Sequence, residues 1–127
     1  MSLFKFTNLI DIIQFFANEW CKPKNNILIF YDKKYDYQNI KNLFDYQNIK
    51  NLFDFINCET FFVGKNLDFN NSEYLPFEEN SFDIIINLSN LNSFNCYLKQ
   101  NGVLLTNQRI LNAQEYYQCN DIFFSVI

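Results

Sequence analysis

The chain has 127 residues, a formal net charge of −4 and no histidine. Its length predicts a single domain over residues 1–127, and its acidic balance argues against a nucleic-acid groove or an anionic membrane as partner, since both require clustered Lys and Arg. The absence of histidine removes the usual general base, the usual zinc nitrogen ligand and any Ser-His or Cys-His nucleophile, so we expect no catalytic residue and no metal site.

The first twenty residues predict an amphipathic helix over about residues 7–20. Apolar residues recur at helical spacing from Leu9 to Trp20, and Thr7 or Asn8 could cap the start of the helix. Polar residues interrupt this stretch and no small-residue cleavage site follows, so it does not resemble a secretory leader. The four cysteines are too widely spaced for a CxxC motif. We therefore expect free thiols in a reducing compartment and an intracellular, cytoplasmic location.

Short apolar runs alternate with helical patterns along the rest of the chain. Strands are predicted at 27–32, 58–64, 81–88, 101–107 and 121–127, the fourth after a turn at Asn101-Gly102. Helices are predicted over the duplicated segment 36–54, at 92–100 and at 108–118. Buried strands that alternate with helices indicate an α/β fold, a Rossmann-like three-layer sandwich with a mainly parallel sheet of about five strands.

The duplicated segment reads DYQNIKNLFDYQNIKNLFD, so a nine-residue phrase occurs twice without change. Within a helix, a shift of nine residues at about 100° each rotates the second apolar stripe by about 180°. One unbroken helix would therefore be apolar on two opposite sides. The six apolar residues concerned are our candidates for a protein interface: Ile40, Leu43, Phe44, Ile49, Leu52 and Phe53.

Three arrangements would accommodate the two stripes. The chain could break near Asp45, which would then cap a second short helix that faces the same core. A long helix could persist with its additional face covered by the N-terminal helix. That face could also be covered by another molecule, since a large exposed apolar patch often marks an association site.

The segment EYLPFEENSFDIIINL (73–88) resembles the LPF-x-x-x-SFD run of class I S-adenosylmethionine-dependent methyltransferases. The later YLKQNGVLLTN (97–107) is similar to the LKPGG turn of that family and the strand after it. The resemblance implies a loop near the adenine ring at Leu75, Pro76 and Phe77, a strand entry at 81–82, and a turn at Gly102.

The chain departs from that family where the family binds its cofactor. Its first predicted strand continues as ILIFYDKKYDY, without the glycine-rich loop that lets the backbone approach a ligand. No acidic residue follows the second predicted strand to hold a ribose. The only weak candidates for cofactor contacts are Asp32, Asn71, Ser72 and Phe77, and we expect no cofactor.

The predicted function follows from these departures. The chain resembles a degenerate methyltransferase-like domain, similar in plan to the N-terminal domain of anamorsin-type proteins. The prediction is a non-catalytic protein-interaction module or a subunit of a larger assembly, whose partner is a protein and could be a second copy of the chain. The alternative is an active methyltransferase with an atypical cofactor site, in which Asp32 and Asn87 supply the polar contacts.

Overall fold

The computed structural model describes residues 2–31, 46–64, 67–69, 75–89, 92–119 and 122–127. The elements in chain order are β1 (Ser2–Phe6), α1 (Leu9–Trp20), β2 (Asn26–Tyr31), α2 (Tyr46–Phe55), β3 (Glu59–Val63), β4 (Phe82–Leu88), a 3-10 helix (Asn92–Tyr97), β5 (Leu98–Thr106), β6 (Glu115–Cys119) and β7 (Ile122–Val126). The seven strands form one sheet in the order β1-β6-β7-β5-β4-β2-β3.

The sheet is mixed. Strands β3, β2, β4 and β5 are parallel neighbours. Strand β7 runs antiparallel to both β5 and β6, and β1 is parallel to β6. The apolar sequences of β2 and β4 place them in the interior of the sheet, where side chains are buried on both faces.

The predicted Rossmann-like three-layer sandwich with about five strands is wrong. In the described part of the chain, the sheet has seven strands, and α1 and α2 both pack on the same face. The side chains that cover the opposite face of β2 and β4 come from loops and strand ends, among them Phe69, Leu75, Phe77 and Tyr97. The described architecture is therefore a strand-rich mixed sheet with helices on one side.

Helix α1 confirms the predicted N-terminal helix. Asn8 is its N-cap, and the side-chain oxygen of Asn8 accepts a hydrogen bond from the backbone N–H of Asp11 at 3.0 Å. The face that includes Ile12, Ile13 and Phe16 is fully buried against the sheet. The strand that precedes this helix, β1, was not predicted.

Helix α2 is formed by residues 46–53 of the second copy of the duplicated phrase together with Asp54 and Phe55. It ends in a Schellman motif, in which Asn57 adopts a left-handed conformation (φ 62°). The N–H of Cys58 donates to the carbonyl of Phe53 at 2.9 Å, and the N–H of Asn57 donates to the carbonyl of Asp54 at 3.0 Å. The first copy lies outside the described residues.

Two other predicted helices are corrected. Residues 108–118 form an irregular loop followed by β6, in which Tyr117 and Cys119 point into the core. Residues 92–100 form the 3-10 helix and the start of β5. The predicted turn at Gly102 is an irregularity within β5, where the register with β4 shifts. Glycine is required there because a Cβ atom would lie 2.9 Å from the backbone oxygen of Asp83.

Candidate functional site

The carboxyl ends of β2 and β4 form the first candidate site. Strand β3 lies on one side of β2 and β4 lies on the other, so the chain order reverses at this point. In open α/β sheets, ligands bind in the crevice outside such a reversal. The side chains described at this position determine which polar groups are available to a ligand in the crevice.

Asn87 lies at this crevice and is bonded to its neighbours. It is 2% exposed, and its Nδ2 donates to Oδ1 of Asn95 at 3.1 Å. Its Oδ1 accepts hydrogen bonds from the backbone N–H of Ser89 at 3.1 Å and from the Ser89 hydroxyl. These hydrogen bonds stabilise the turn after β4, so the polar groups of Asn87 have a structural role.

Backbone atoms come close together at the ends of β2 and β3. A Cβ atom on Gly64 would lie 2.5 Å from the carbonyl oxygen of Tyr31. At the end of β5, the hydroxyl of Thr106 accepts a hydrogen bond from the N–H of Gln108 at 3.2 Å. The described strand ends are thus tightly packed, and their polar side chains stabilise loops.

The structure describes only one of the four weak cofactor candidates, Phe77. Asp32, Asn71 and Ser72 lie outside the described residues. The ring of Phe77 packs within a group of aromatic side chains on the sheet face opposite the helices, with ring centroids 5.1 Å from those of Phe69 and Phe82. The contacts described for Phe77 are therefore those of a residue that covers the sheet.

The structure describes three of the six interface candidates in the duplicated segment. Ile40, Leu43 and Phe44 lie outside the described residues. Ile49 and Phe53 are 1% and 0% exposed and belong to the core beneath α2, while Leu52 is half-buried against it. The stripe of the second copy is thus occupied by the core of its own chain.

Burial suppresses the ionisation of three of the four thiols. Burial and the nearby Cys58 raise the pKa of Cys21 to about 12, and burial also raises the pKa values of Cys58 and Cys119. Thiols with raised pKa values stay protonated and are poor nucleophiles. In the described part of the chain, no group of three or more Cys, Asp or Glu side chains could hold a metal ion.

Asp83 has a structural role. Its Oδ2 accepts a hydrogen bond from the N–H of Asn26 at 2.9 Å, and its Oδ1 is 3.0 Å from Nζ of Lys99. Burial alone would raise the pKa of Asp83, but these hydrogen bonds and the Lys99 charge outweigh it and hold the pKa below its ordinary value. Asp83 therefore remains ionised where β2 and β4 begin.

The environment of Glu115 raises its pKa, whereas that of Asp83 lowers it. Burial and a hydrogen bond with the Glu19 carboxyl raise the pKa of Glu115 to about 7, although the hydroxyl of Tyr117 donates to its Oε2 at 3.1 Å. Burial also raises the pKa of Tyr117. The carboxyl of Glu115 thus takes up a proton more readily than an ordinary glutamate does.

The side chain of Phe55 is the most exposed large apolar group among the described residues, at 89%. It lies in the last turn of α2, beside a cavity of about 470 Å³ lined by Ala17, Cys21, Pro23 and Ile56, among others. Sequence reasoning missed this residue. A helical projection would have found it, because Phe55 is rotated by about 200° from Phe53 and so points away from the core stripe.

Comparison of the chain with known protein families, curated proteins and solved structures finds no match. No helix in the described ranges has the length and apolar character needed to cross a membrane.

Proposed function

We propose that this chain is a non-catalytic protein-interaction module that docks a partner protein on the surface around Phe55. This surface, which we call the Phe55 surface, consists of Phe55, Ile56, Pro23 and Cys21. An origin as a degenerate methyltransferase-like domain is part of the same hypothesis and is supported only by the sequence motifs in residues 73–88 and 97–107.

The exposure of Phe55 is the observation that carries the proposal. A phenyl ring that is 89% exposed gains no burial from its own fold. The ring is held on a regular helix turn whose end is fixed by the Asn57 conformation, so it is presented in a defined position. Aromatic side chains beside an apolar cavity are the usual anchors of protein interfaces.

Polar residues border the Phe55 surface. Asn18 and Asn57 line the same cavity as Phe55. A polar rim around an apolar centre is typical of interfaces between separate proteins. The chain as a whole carries a net charge of −4, so two copies repel each other and a partner of net positive charge is favoured. The proposed occupant is therefore a different, basic protein with an apolar side chain that enters the cavity.

The described polar groups at the strand ends support a non-catalytic role. Asn87 and Ser89 are bonded to each other, and the buried thiols are held in their protonated form. The carboxylate of Asp83 accepts a hydrogen bond from the N–H of Asn26, the first residue of β2. These groups therefore stabilise the fold, and none of them is poised as an activated nucleophile or base.

Site-specific photocrosslinking tests the proposal. We would place p-benzoylphenylalanine at position 55 and, as a matched control, at position 111, where Leu111 is 84% exposed on the loop before β6. Irradiation in an extract of the source cells should give a discrete protein adduct at position 55 that is missing at position 111. Mass spectrometry should identify one basic protein in that adduct.

Other outcomes count against the proposal. Adducts that are equal at positions 55 and 111 would indicate nonspecific contact. An adduct of twice the chain mass, together with a dimer in light scattering, would show that a second copy is the occupant. Tight binding of S-adenosylmethionine in calorimetry would favour an active methyltransferase instead.

A further inference from the structure

A second cavity lies beside α2, on the other side of Asn57 from the cavity next to Phe55. Its volume is about 460 Å³, and it is bounded by the C-terminal half of α2, the turn before β2 and the start of β3. Its lining is mainly polar and includes Lys24, Lys50, Asp54, Asn57, Glu59 and Thr60. We call it the α2–β3 cleft.

Thr60 supplies the first indication of a ligand. The residue is 9% exposed, and its Oγ1 is buried without a hydrogen-bond partner among the described residues. Buried hydroxyl groups in folded proteins are nearly always bonded, so an unpaired one requires an explanation. A ligand that enters the cleft and accepts a hydrogen bond from Thr60 would provide one.

The charges in the cleft supply the second indication. Two lysines, Lys24 and Lys50, and two acids, Asp54 and Glu59, line the same space. Lys50 and Asp54 are one helical turn apart, a spacing at which such side chains often pair. The ion pair observed among the described residues joins Lys99 and Asp83, which lie outside this cleft. Both signs of charge are thus presented to the cavity.

The balance of charges restricts the class of ligand. Asp54 and Glu59 would repel an anion such as phosphate, and the two lysines would repel a simple cation. A molecule with separate ammonium and carboxylate groups can bind the two acids with its ammonium group and the two lysines with its carboxylate. The Thr60 hydroxyl adds a donor for the carboxylate.

The backbone around the cleft is held in place. The N–H of Lys24 donates to the carbonyl of Asn57 at 2.7 Å, and the N–H of Glu59 donates to the carbonyl of Asn25 at 3.0 Å. These bonds tie the turn before β2 to the segment between α2 and β3. The backbone that carries the charged groups is therefore ordered before a ligand arrives, which lowers the entropic cost of binding.

We propose that the α2–β3 cleft binds a small zwitterion of the free amino acid class. The Lys24 and Lys50 ammonium groups and the Thr60 hydroxyl bind its carboxylate, and Asp54 and Glu59 bind its ammonium group. The site is separate from the Phe55 surface, so it would give the module a response to a small molecule as well as a partner. It does not depend on the function proposed above.

The test uses the full chain and amide NMR. A mixture of the common L-amino acids at about 1 mM each should shift the signals of residues 24, 50, 54 and 57–60. Single amino acids then identify the ligand. Its N-acetyl and amide derivatives, which lack one charge each, should bind about tenfold more weakly, as expected for the loss of one charged contact.

Three variants locate the site. Thr60→Val removes only the hydroxyl and should weaken binding about tenfold while the protein stays folded, because the hydroxyl has no partner to lose. Lys24→Met should have a similar effect. Lys5→Met, at an exposed lysine on β1, is the matched control and should bind normally.

The proposal is overturned by several clear results. The mixture could cause no shifts at this concentration, or shifts only at residues outside the cleft. The derivatives that lack one charge could bind as tightly as the zwitterion. Thr60→Val and Lys24→Met could bind no more weakly than Lys5→Met.

Discussion

The carboxylate of Asp83, at the start of β4, accepts a hydrogen bond from the backbone N–H of Asn26, at the start of β2. The two residues are 57 positions apart in the chain, yet this bond of 2.9 Å aligns the first residues of two buried parallel strands. Lys99, at the start of β5, holds the other carboxylate oxygen. One side chain therefore connects three neighbouring strands.

Replacement of Asp83 by alanine should destabilise the protein. The half-buried N–H of Asn26 would lose its partner, and a cost of about 1–3 kcal/mol is expected for such a group. Urea unfolding measures the free energy change. Lys99→Gln is the control, because it removes only a partly exposed ion pair and should cost less than about 1 kcal/mol. Equal losses in the two variants would contradict the role given to the Asn26 contact.

The same residue predicts an acid dependence. The pKa of Asp83 in the folded protein lies below its ordinary value of 3.8, so the folded state binds this proton less readily than the unfolded state. Its contribution to stability is complete above that ordinary value and is lost as the pH falls through the folded pKa. Unfolding free energies measured from pH 5 to pH 2 should fall less steeply in Asp83→Asn than in the unchanged protein.

Glu115 should give a pH dependence of the opposite sign. Burial and the hydrogen bond with Glu19 raise the pKa of Glu115 to about 7 from the ordinary 4.5, so the folded state binds its proton more tightly. The contribution of Glu115 to stability is then complete below pH 4.5 and decreases as the pH rises through about 7. Glu115→Gln should reduce this decrease and stabilise the protein at pH 8, as measured by thermal unfolding.

Glu78→Gln is the matched control for that experiment, since Glu78 is exposed in the loop before β4. It should leave the pH profile unchanged. A profile that stays steep in Glu115→Gln would show that another group titrates in this range.

Gly64 should not tolerate a side chain. Its added Cβ atom would contact the backbone oxygen of Tyr31, which cannot move without a shift of β2. Gly64→Ala is expected to destabilise the protein by about 1–3 kcal/mol in urea unfolding, the usual range for overpacking. Ser81→Ala, in the half-buried turn before β4, removes only the hydrogen bond from the Ser81 hydroxyl to the carbonyl of Glu78, and as a control it should cost less. A neutral result for Gly64→Ala would show that the two strand ends are less closely packed.

Removal of one copy of the duplicated phrase should leave the fold intact. Deleting residues 36–44 or 45–53 yields the same sequence, so one copy always remains next to Asp54 and can supply α2. Fourteen residues, 32–45, connect β2 to α2, and removing nine leaves five, which is an ordinary length for such a connection. The unfolding free energy should change by no more than about 1 kcal/mol. Loss of cooperative unfolding would contradict this prediction.

The sequence predicted the two central strands β2 and β4. The centre of each strand is a continuous buried apolar run, and such runs are recognisable without knowledge of their neighbours. Strand β1 was missed because its partner β6 lies more than a hundred residues away, as in the pairing of Ser2 with Glu115, and local patterns carry little information about such pairs. Strand β6 also pairs with the nearby β7, but its residues were placed at the end of a helix predicted over 108–118.

The candidate sites were harder to predict than the strands. The helical spacing within the duplicated phrase predicts the correct apolar stripe, but only the tertiary structure shows that Ile49 and Phe53 face the core. The cleft that contains Thr60 and Lys24 joins segments that are 36 residues apart, and no local motif marks it. Phe55 could have been found from helical geometry alone.

The pairing of β1 with β6 has a consequence for biosynthesis. During translation, the first strand has left the ribosome long before residues 115–119 exist, so its apolar side chains, such as Phe4 and Phe6, must wait without their final neighbour. Contacts of such high sequence separation also slow folding. The nascent chain should therefore stay prone to aggregation, or to capture by chaperones, until residues 115–119 have left the ribosome.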